Sequence, residues 1–221
     1  MNNVNVAVAP IAVFVTNLGK YNEGELVGEW LNLPTTPEQL KETFKKIGID
    51  NKDYEEYFIS DYESTLDGLK LPEYANLDGL NYLAVRLEDM SSDEIDRYQA
   101  ILAYQDTDGV EKSINLTYSL DSFEVLSDVH TEEELGYYYI EECGSYDLKS
   151  MGELARYIDY EGFGRDIMIN ESGSFTEHGY IYENGDISNE NGDISNEYDG
   201  VHVPEEYCIV ACNYEDTDVP W

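Results

Sequence analysis

Any fold open to this chain has to carry 48 Asp and Glu against 12 Lys and Arg, a formal net charge of −36. Like charges oppose compaction, and strongly acidic chains poor in aromatic residues stay unfolded. This chain escapes that outcome because 42% of its residues are hydrophobic and it carries 20 Tyr, 6 Phe and 2 Trp. Tyrosine suits the problem, since its ring can be buried while the hydroxyl keeps a polar partner. The sequence therefore predicts a folded polyanion with carboxylates outside an aromatic-rich core.

The charge is uneven. Residues 1–112 hold 22 acids and 9 bases, whereas residues 113–221 hold 26 acids and only Lys149, Arg156 and Arg165 as bases. Binding to phosphates needs Lys and Arg, so the composition excludes nucleic acid as a direct ligand and disfavours an anionic membrane surface. Cations and basic protein surfaces are the natural partners. No run approaches the ~20 apolar residues of a membrane span. Val4–Val15 is apolar but contains Pro10 and lacks a basic flank, so it makes a poor signal peptide. Three scattered cysteines, Cys143, Cys208 and Cys212, fit reduced thiols in a cytoplasm better than a disulfide framework.

Along the chain, Ile11–Leu18 and Leu26–Leu33 read as an antiparallel hairpin, Pro37–Ile47 as a helix capped by Thr36, and Glu55–Tyr62 as a third strand. Leu77, Leu80, Leu83, Ala84 and Leu87 recur at helical steps, and a second helix starts at Ser92 and breaks at Asp106–Gly109. Residues 110–129 fit either strands or a short helix. Thr131 and Glu134 form a capping-box signature for a helix running to Cys143. Another helix is expected over Ser150–Ile158, a strand over Ser174–Tyr182, and a closing strand in the YCIVAC run near the end. Asn184–Glu190 is repeated as Asn191–Glu197, which reads as a slipped duplication in an acidic loop.

Motifs for chemistry are scarce. There is no Gly-rich phosphate loop, nucleophile elbow or zinc-protease helix. Cys208 and Cys212 make at most half a metal site, and the EF-hand-like frame Ser195–Glu206 lacks an acid or amide at its first position. Carboxylate pairs of the kind that run a glycosidase arise by chance among 48 acids. The expectation is a non-enzyme with no cofactor, no metal site and no small-molecule substrate.

The acids themselves carry more information. On a helix over 132–143, Leu135, Gly136, Tyr139, Ile140 and Cys143 form one stripe, with Glu133, Glu134, Tyr137, Tyr138 and Glu141 opposite. Acids on neighbouring turns stand about 5–6 Å apart, close to the spacing of phosphates along one DNA strand. Solubility needs a net charge of only about 2–8 for a small domain, so −36 asks for another purpose. Duplex DNA carries one charge per ~1.7 Å, so this charge corresponds to about 60 Å of duplex.

Four blocks give the chain a specific likeness: Val15–Trp30 (VTNLGKYNEGELVGEW), the EEYFISDYE run Glu55–Glu63, Glu134–Gly144 (ELGYYYIEECG) and Tyr157–Asp166 (YIDYEGFGRD), followed by Gly179 and Tyr180. Together they resemble the ArdA antirestriction proteins over residues 13 to about 182. The resemblance implies an α+β fold drawn out into three small subdomains, at 1–66 (sheet plus helix), 67–112 (helical) and 113–182 (mixed). The chain departs from the family around 106–120, which is hard to align, and in an acidic extension at 183–221 that runs past the family's usual end. It implies a cytoplasmic homodimer, spread by conjugative transposons and other mobile elements. Such a protein mimics B-form DNA and fills the DNA-binding groove of type I restriction–modification enzymes. The family's antirestriction motif corresponds most closely to Asp128–Gly144. The acids within matching blocks are Glu23, Glu25, Glu29, Glu55, Glu56, Asp61, Glu63, Glu134, Glu141, Glu142, Asp159, Glu161 and Asp166, the expected partner-binding set. Trp30, Tyr57, Phe58, Tyr139 and Tyr157 are expected in the core. The alternative is a general acidic chaperone or competitor for basic DNA-binding proteins.

Overall fold

The computed structural model describes residues 9–49, 52–105, 107, 109–144, 146–184 and 203–210. Helices and antiparallel sheets both contribute, so the chain is α+β. It divides into two compact units, one drawn from Met1–Ile95, Thr107–Tyr118 and Ser195–Trp221, the other from Asp96–Asp106 and Ser119–Ile194.

The first unit starts with a three-stranded antiparallel sheet in the order β2-β1-β3, where β1 is Ile11–Asn17, β2 Gly28–Leu33 and β3 Tyr57–Ser64. Ile11, Val13 and Val15 on β1, with Leu31 and Leu33 on β2, put one face into the core. Helix α2 (Pro37–Lys46) supplies Leu40 and Phe44 to the same core. Its start follows the expectation: Thr36 accepts from the Gln39 amide, and the Gln39 side chain accepts from the Thr36 amide. The β1–β2 connection holds a one-turn helix, α1 (Leu18–Asn22), capped by the buried Asn17 side chain, whose Nδ2 donates to the Ile47 carbonyl at 3.0 Å.

Helix α3 (Leu77–Glu88) buries Leu77, Leu80, Leu83 and Leu87, as the spacing predicted. Helix α4 (Ser92–Tyr104) follows, and α5 (Val110–Leu116) resolves part of the ambiguous stretch as helix. Packing joins α3 to α5: the Arg86 guanidinium stacks 4.2 Å from the Tyr118 ring and donates to Thr117, while the Tyr82 and Tyr118 hydroxyls bond to each other.

The second unit centres on a sheet in the order β4-β6-β5, with β4 at Phe123–Leu126, β5 at Ser174–Thr176 and β6 at Gly179–Glu183. Helix α6 (Glu132–Tyr137) lies against α8 (Tyr160–Glu171), and Leu135 and Tyr180 are fully buried beneath them. The helices approach until their backbones touch. A Cβ on Gly136 would lie 1.9 Å from the Tyr160 carbonyl oxygen, and one on Gly164 would lie 1.8 Å from the Glu132 carbonyl oxygen. Only glycine permits that approach.

The helix beginning at Glu132 is not α-helical to Cys143: it passes into a π turn over Tyr138–Glu142, closed by the Cys143 amide on the Tyr138 carbonyl at 3.0 Å. A π turn inserts one extra residue per turn and rotates everything beyond it. Cys143 therefore leaves the inner stripe and is exposed, while Tyr138 packs partly against the core. The helix expected over Ser150–Ile158 shrinks to α7 (Leu148–Met151) followed by a 3₁₀ stretch, Gly152–Tyr157. The single strand expected over Ser174–Tyr182 is a hairpin, reversing at Glu177–His178 with Gly179 at φ +111°. Helix α8 was not expected at all. Val203–Val210 contains a 3₁₀ turn, Glu205–Tyr207, and no strand, so the closing strand is absent from the described part of the YCIVAC run. Trp30 and Tyr157, expected in the core, are 42% and 83% exposed. Apart from Asn184, the duplicated heptads lie outside the described residues, as do His202 and Cys212. No helix among the described residues is long and apolar enough to cross a membrane.

Candidate functional site

The acids selected from the sequence are all exposed except Glu29, which is half-buried. What distinguishes them is how each carboxylate is occupied.

In the first unit the LGKYNEG block is bound up in its own local structure. Asn17 caps α1 by accepting the Lys20 amide at 2.9 Å. Gly19 lets the Tyr54 ring lie on the helix, since a Cβ there would meet the ring at 2.3 Å. Lys20 then reaches Glu23 at 3.0 Å and Glu25 at 3.8 Å and lies 4.8 Å over the Tyr54 ring. Tyr54 donates to Glu23 as well. The Lys20 and Tyr54 hydrogen bonds hold the Glu23 carboxyl below its ordinary range, and the same cluster raises the Lys20 ammonium.

The sheet separates the other acids of this unit by face. Glu29 stands opposite Val15, whose side chain is in the core, and pairs with Lys46 of α2 at 3.3 Å. Asp61 stands opposite Phe14, and Glu63 opposite Ala12, on the face turned away from α2. The Asp61 carboxylate also takes the Tyr62 amide at 2.8 Å. Side chains two residues apart on a strand share a face at about 6.7 Å, so these two acids form a short row with near-phosphate spacing. Trp30 and Asn32 occupy the same face across β1. An irregularity between Phe14 and Val15 leaves Ser60 unpaired in the register and keeps Ile59 buried against Val15.

In the second unit, the α6–α8 crossing organises the acids. Thr131 accepts the Glu134 amide at 3.2 Å, and the Glu134 carboxylate accepts the His130 amide at 2.8 Å. That backbone bond to His130, more than any other contact, holds the Glu134 carboxyl below its usual range. Asp159 caps α8 by accepting the Gly162 amide at 2.9 Å. Tyr160 donates to Glu141, which joins the π turn to the start of α8 and raises the Tyr160 phenol. Arg165 bridges Glu132 at 2.6 Å and Glu161 at 2.8 Å. Below the crossing, Glu171 accepts from Tyr139 at 2.6 Å and from Tyr180 at 2.8 Å.

The thirteen acids thus sort by occupation. Glu23, Glu25, Glu29 and Glu161 are matched by cations; Asp61, Glu134 and Asp159 accept backbone amides; Glu141 holds a tyrosine. Among the described residues, Glu55, Glu56, Glu63, Glu142 and Asp166 have no side-chain ion pair and are exposed. Glu132, Glu133, Asp128 and Glu171 were not selected, although Glu132 and Glu133 lie in the same helix start as Glu134. The signal for them was the capping box itself.

Beside α6 lies an open cavity of 530 Å³, lined among others by Val125, Leu126, Val129, Glu133, Tyr137 and Glu142. Its walls combine aromatic, aliphatic and acidic groups, which suit a cationic side chain with an apolar stem. Among the described residues, no group of three or more His, Cys, Asp or Glu is arranged to hold a metal ion. What this surface offers chemically is fixed negative charge.

Comparison with curated proteins returns no match. A family model described as antirestriction protein (ArdA) matches residues 13–182, the span that contains all thirteen selected acids. That family is one of antirestriction proteins and is not a known enzyme family. With most of its 221 residues inside the match, the chain belongs to the ArdA antirestriction protein family.

Proposed function

We propose that the protein mimics B-form DNA and occupies the DNA-binding groove of type I restriction–modification enzymes, protecting incoming mobile DNA. The observation that carries this reading is a large excess of carboxylates on a folded scaffold: a net charge of −36, with all the family-matched acids but the half-buried Glu29 exposed, in strands, helices and the connections beside them. A disordered polyanion presents the same charge without fixed spacing. Here Asp61 and Glu63 share one strand face, and Asp159 and Asp166 stand two turns apart along α8, about 10 Å.

A groove built to displace counterions from DNA does the same for a carboxylate array, so affinity falls steeply with salt. Complementary charge also speeds encounter. On this reading the protein acts as a cytoplasmic homodimer of three-subdomain chains, with the acids Glu23 to Asp166 as its DNA-like face. It carries out no catalysis and uses no cofactor.

The test compares partners. Cleavage of unmodified DNA by a type I enzyme is expected to stop at near-stoichiometric protein, while a basic protein without a DNA groove is bound at least tenfold more weakly. Equal affinity for both contradicts mimicry and favours the acidic chaperone.

A further inference from the structure

The family match ends at residue 182, yet the chain returns to the first unit at Val203–Val210 and docks there. The contacts are numerous for eight residues. Asp78, in the first turn of α3, accepts the amides of both Ile209 and Val210 on one oxygen, at 2.6 and 2.7 Å. Asn81, one turn along and 3% exposed, donates to the Tyr207 carbonyl at 3.0 Å, while its oxygen accepts the Thr35 amide at 2.7 Å. The Tyr207 ring stacks on Tyr82, with centroids 4.9 Å apart, and Ile209 is 1% exposed.

These features point to a built site. Asn81 is a buried amide on a helix that also buries Leu77, Leu80, Leu83 and Leu87, and burying a polar group there is unfavourable unless both ends are bonded. The segment supplies one of its two partners. Asp78 is the only acid in the first turn of α3, and its carboxylate takes two consecutive backbone amides in charge-assisted bonds. Glu205 and Glu206 remain exposed, so docking also fixes two further acids on this unit.

We propose that the face of α3 carrying Asp78, Asn81 and Tyr82 is a peptide-docking site, and that its occupant is the chain's own Val203–Val210 segment. The segment is a strap laid over the family fold and separable from it. The inference does not depend on DNA mimicry, because it concerns a contact between a segment beyond the matched region and a helix within it.

Two measurements on the full chain test it. Amide hydrogen exchange of Asp78→Ala is expected to speed up at least tenfold at Ile209 and Val210, with Val13 and Val15 in β1 unchanged. A full-length Tyr207→Ala/Ile209→Ala variant, whose own strap is weakened, is then titrated with a synthetic peptide of residues 203–210. Saturable binding that raises the unfolding temperature is expected, and it should vanish when Asp78→Ala is added. Unchanged exchange at Ile209 and Val210, or no binding of the peptide to the strap-weakened chain, overturns the proposal. If Asp78→Ala unfolds the chain, β1 exchange rises as well, and the peptide titration alone decides.

Discussion

Replacing Gly136 by Ala sets two well-known magnitudes against each other. Helix propensity favours alanine over glycine by about 1 kcal/mol in a helix interior, so an isolated helix would gain. The α6–α8 crossing opposes it. The new Cβ lies 1.9 Å from the Tyr160 carbonyl oxygen, and the next atoms met are the Tyr160 carbonyl carbon at 2.7 Å and the Gly164 amide nitrogen at 3.1 Å, all backbone. A carbon and a carbonyl oxygen settle at about 3.3 Å, so the helices must part by roughly 1.4 Å. A gap of 0.5–1 Å already forfeits about a quarter to a half of each dispersion contact across it. Overpacking of this kind costs typically ~1–3 kcal/mol, and the rigid backbone on both sides places this case at the upper end. After subtracting the propensity gain, the net loss is about 2 kcal/mol. Thermal unfolding should report a fall of roughly 4–8 °C for a chain of this size. Gly164→Ala should behave alike, since its Cβ would lie 1.8 Å from the Glu132 carbonyl oxygen. Both substitutions open the same gap, so the double variant should lose less than the sum of the two. A Gly136→Ala protein that melts at or above the parent temperature refutes the close crossing.

Other outcomes follow from the same geometry. Glu171→Ala strips the acceptor from the Tyr139 and Tyr180 hydroxyls and should cost about 2–4 kcal/mol, read by urea unfolding. Burial first, and Glu171 second, push the Tyr139 and Tyr180 phenols well above their ordinary 10.0. The folded state therefore holds these protons longer than the unfolded chain, so their stabilisation is full below pH 10 and lost as pH rises beyond it. Unfolding free energy measured across that range should decline, and less steeply once Glu171 is removed. Thr131→Ala removes the α6 cap and should cost about 1 kcal/mol by denaturant unfolding. Converting Glu55, Glu56, Glu63 and Glu142 to Gln and Asp166 to Asn should leave the melting temperature equal or higher, because self-repulsion falls. The same variant should bind a type I methyltransferase more weakly and with a shallower salt dependence.

The elements legible in the sequence are those whose signals are local. Thr36 and Thr131 announce helix starts through side chains that bond within three residues, and the leucine spacing of α3 declares a buried face. Helix α8 escaped because its packing uses absence: Gly162 and Gly164 dilute the helical pattern, and Gly164 is its only buried residue. The useful signal was Asp159 followed three residues later by Gly162, an N-cap. The π turn at Tyr138–Glu142 carries no composition cue, so the stripe drawn through Cys143 rested on uninterrupted helical phase.

The family blocks hold a further lesson. Residues in LGKYNEG and YIDYEGFGRD are occupied by caps, close approaches and local ion pairs, which explains why those runs are so specific. Their acids serve the fold as well as the surface. The carboxylates left free are Glu55, Glu56, Glu63 and Glu142, in the other two blocks, and Asp166, the last residue of YIDYEGFGRD; for these the sequence offers only charge.

Competitive displacement tests the central claim most directly. A fluorescent duplex bearing the recognition sequence is bound to a type I methyltransferase at low salt, and the protein is titrated in. Release of the duplex near equimolar protein, with the five-acid variant requiring substantially more, is the predicted result. A duplex that stays bound while the protein is in excess contradicts the account.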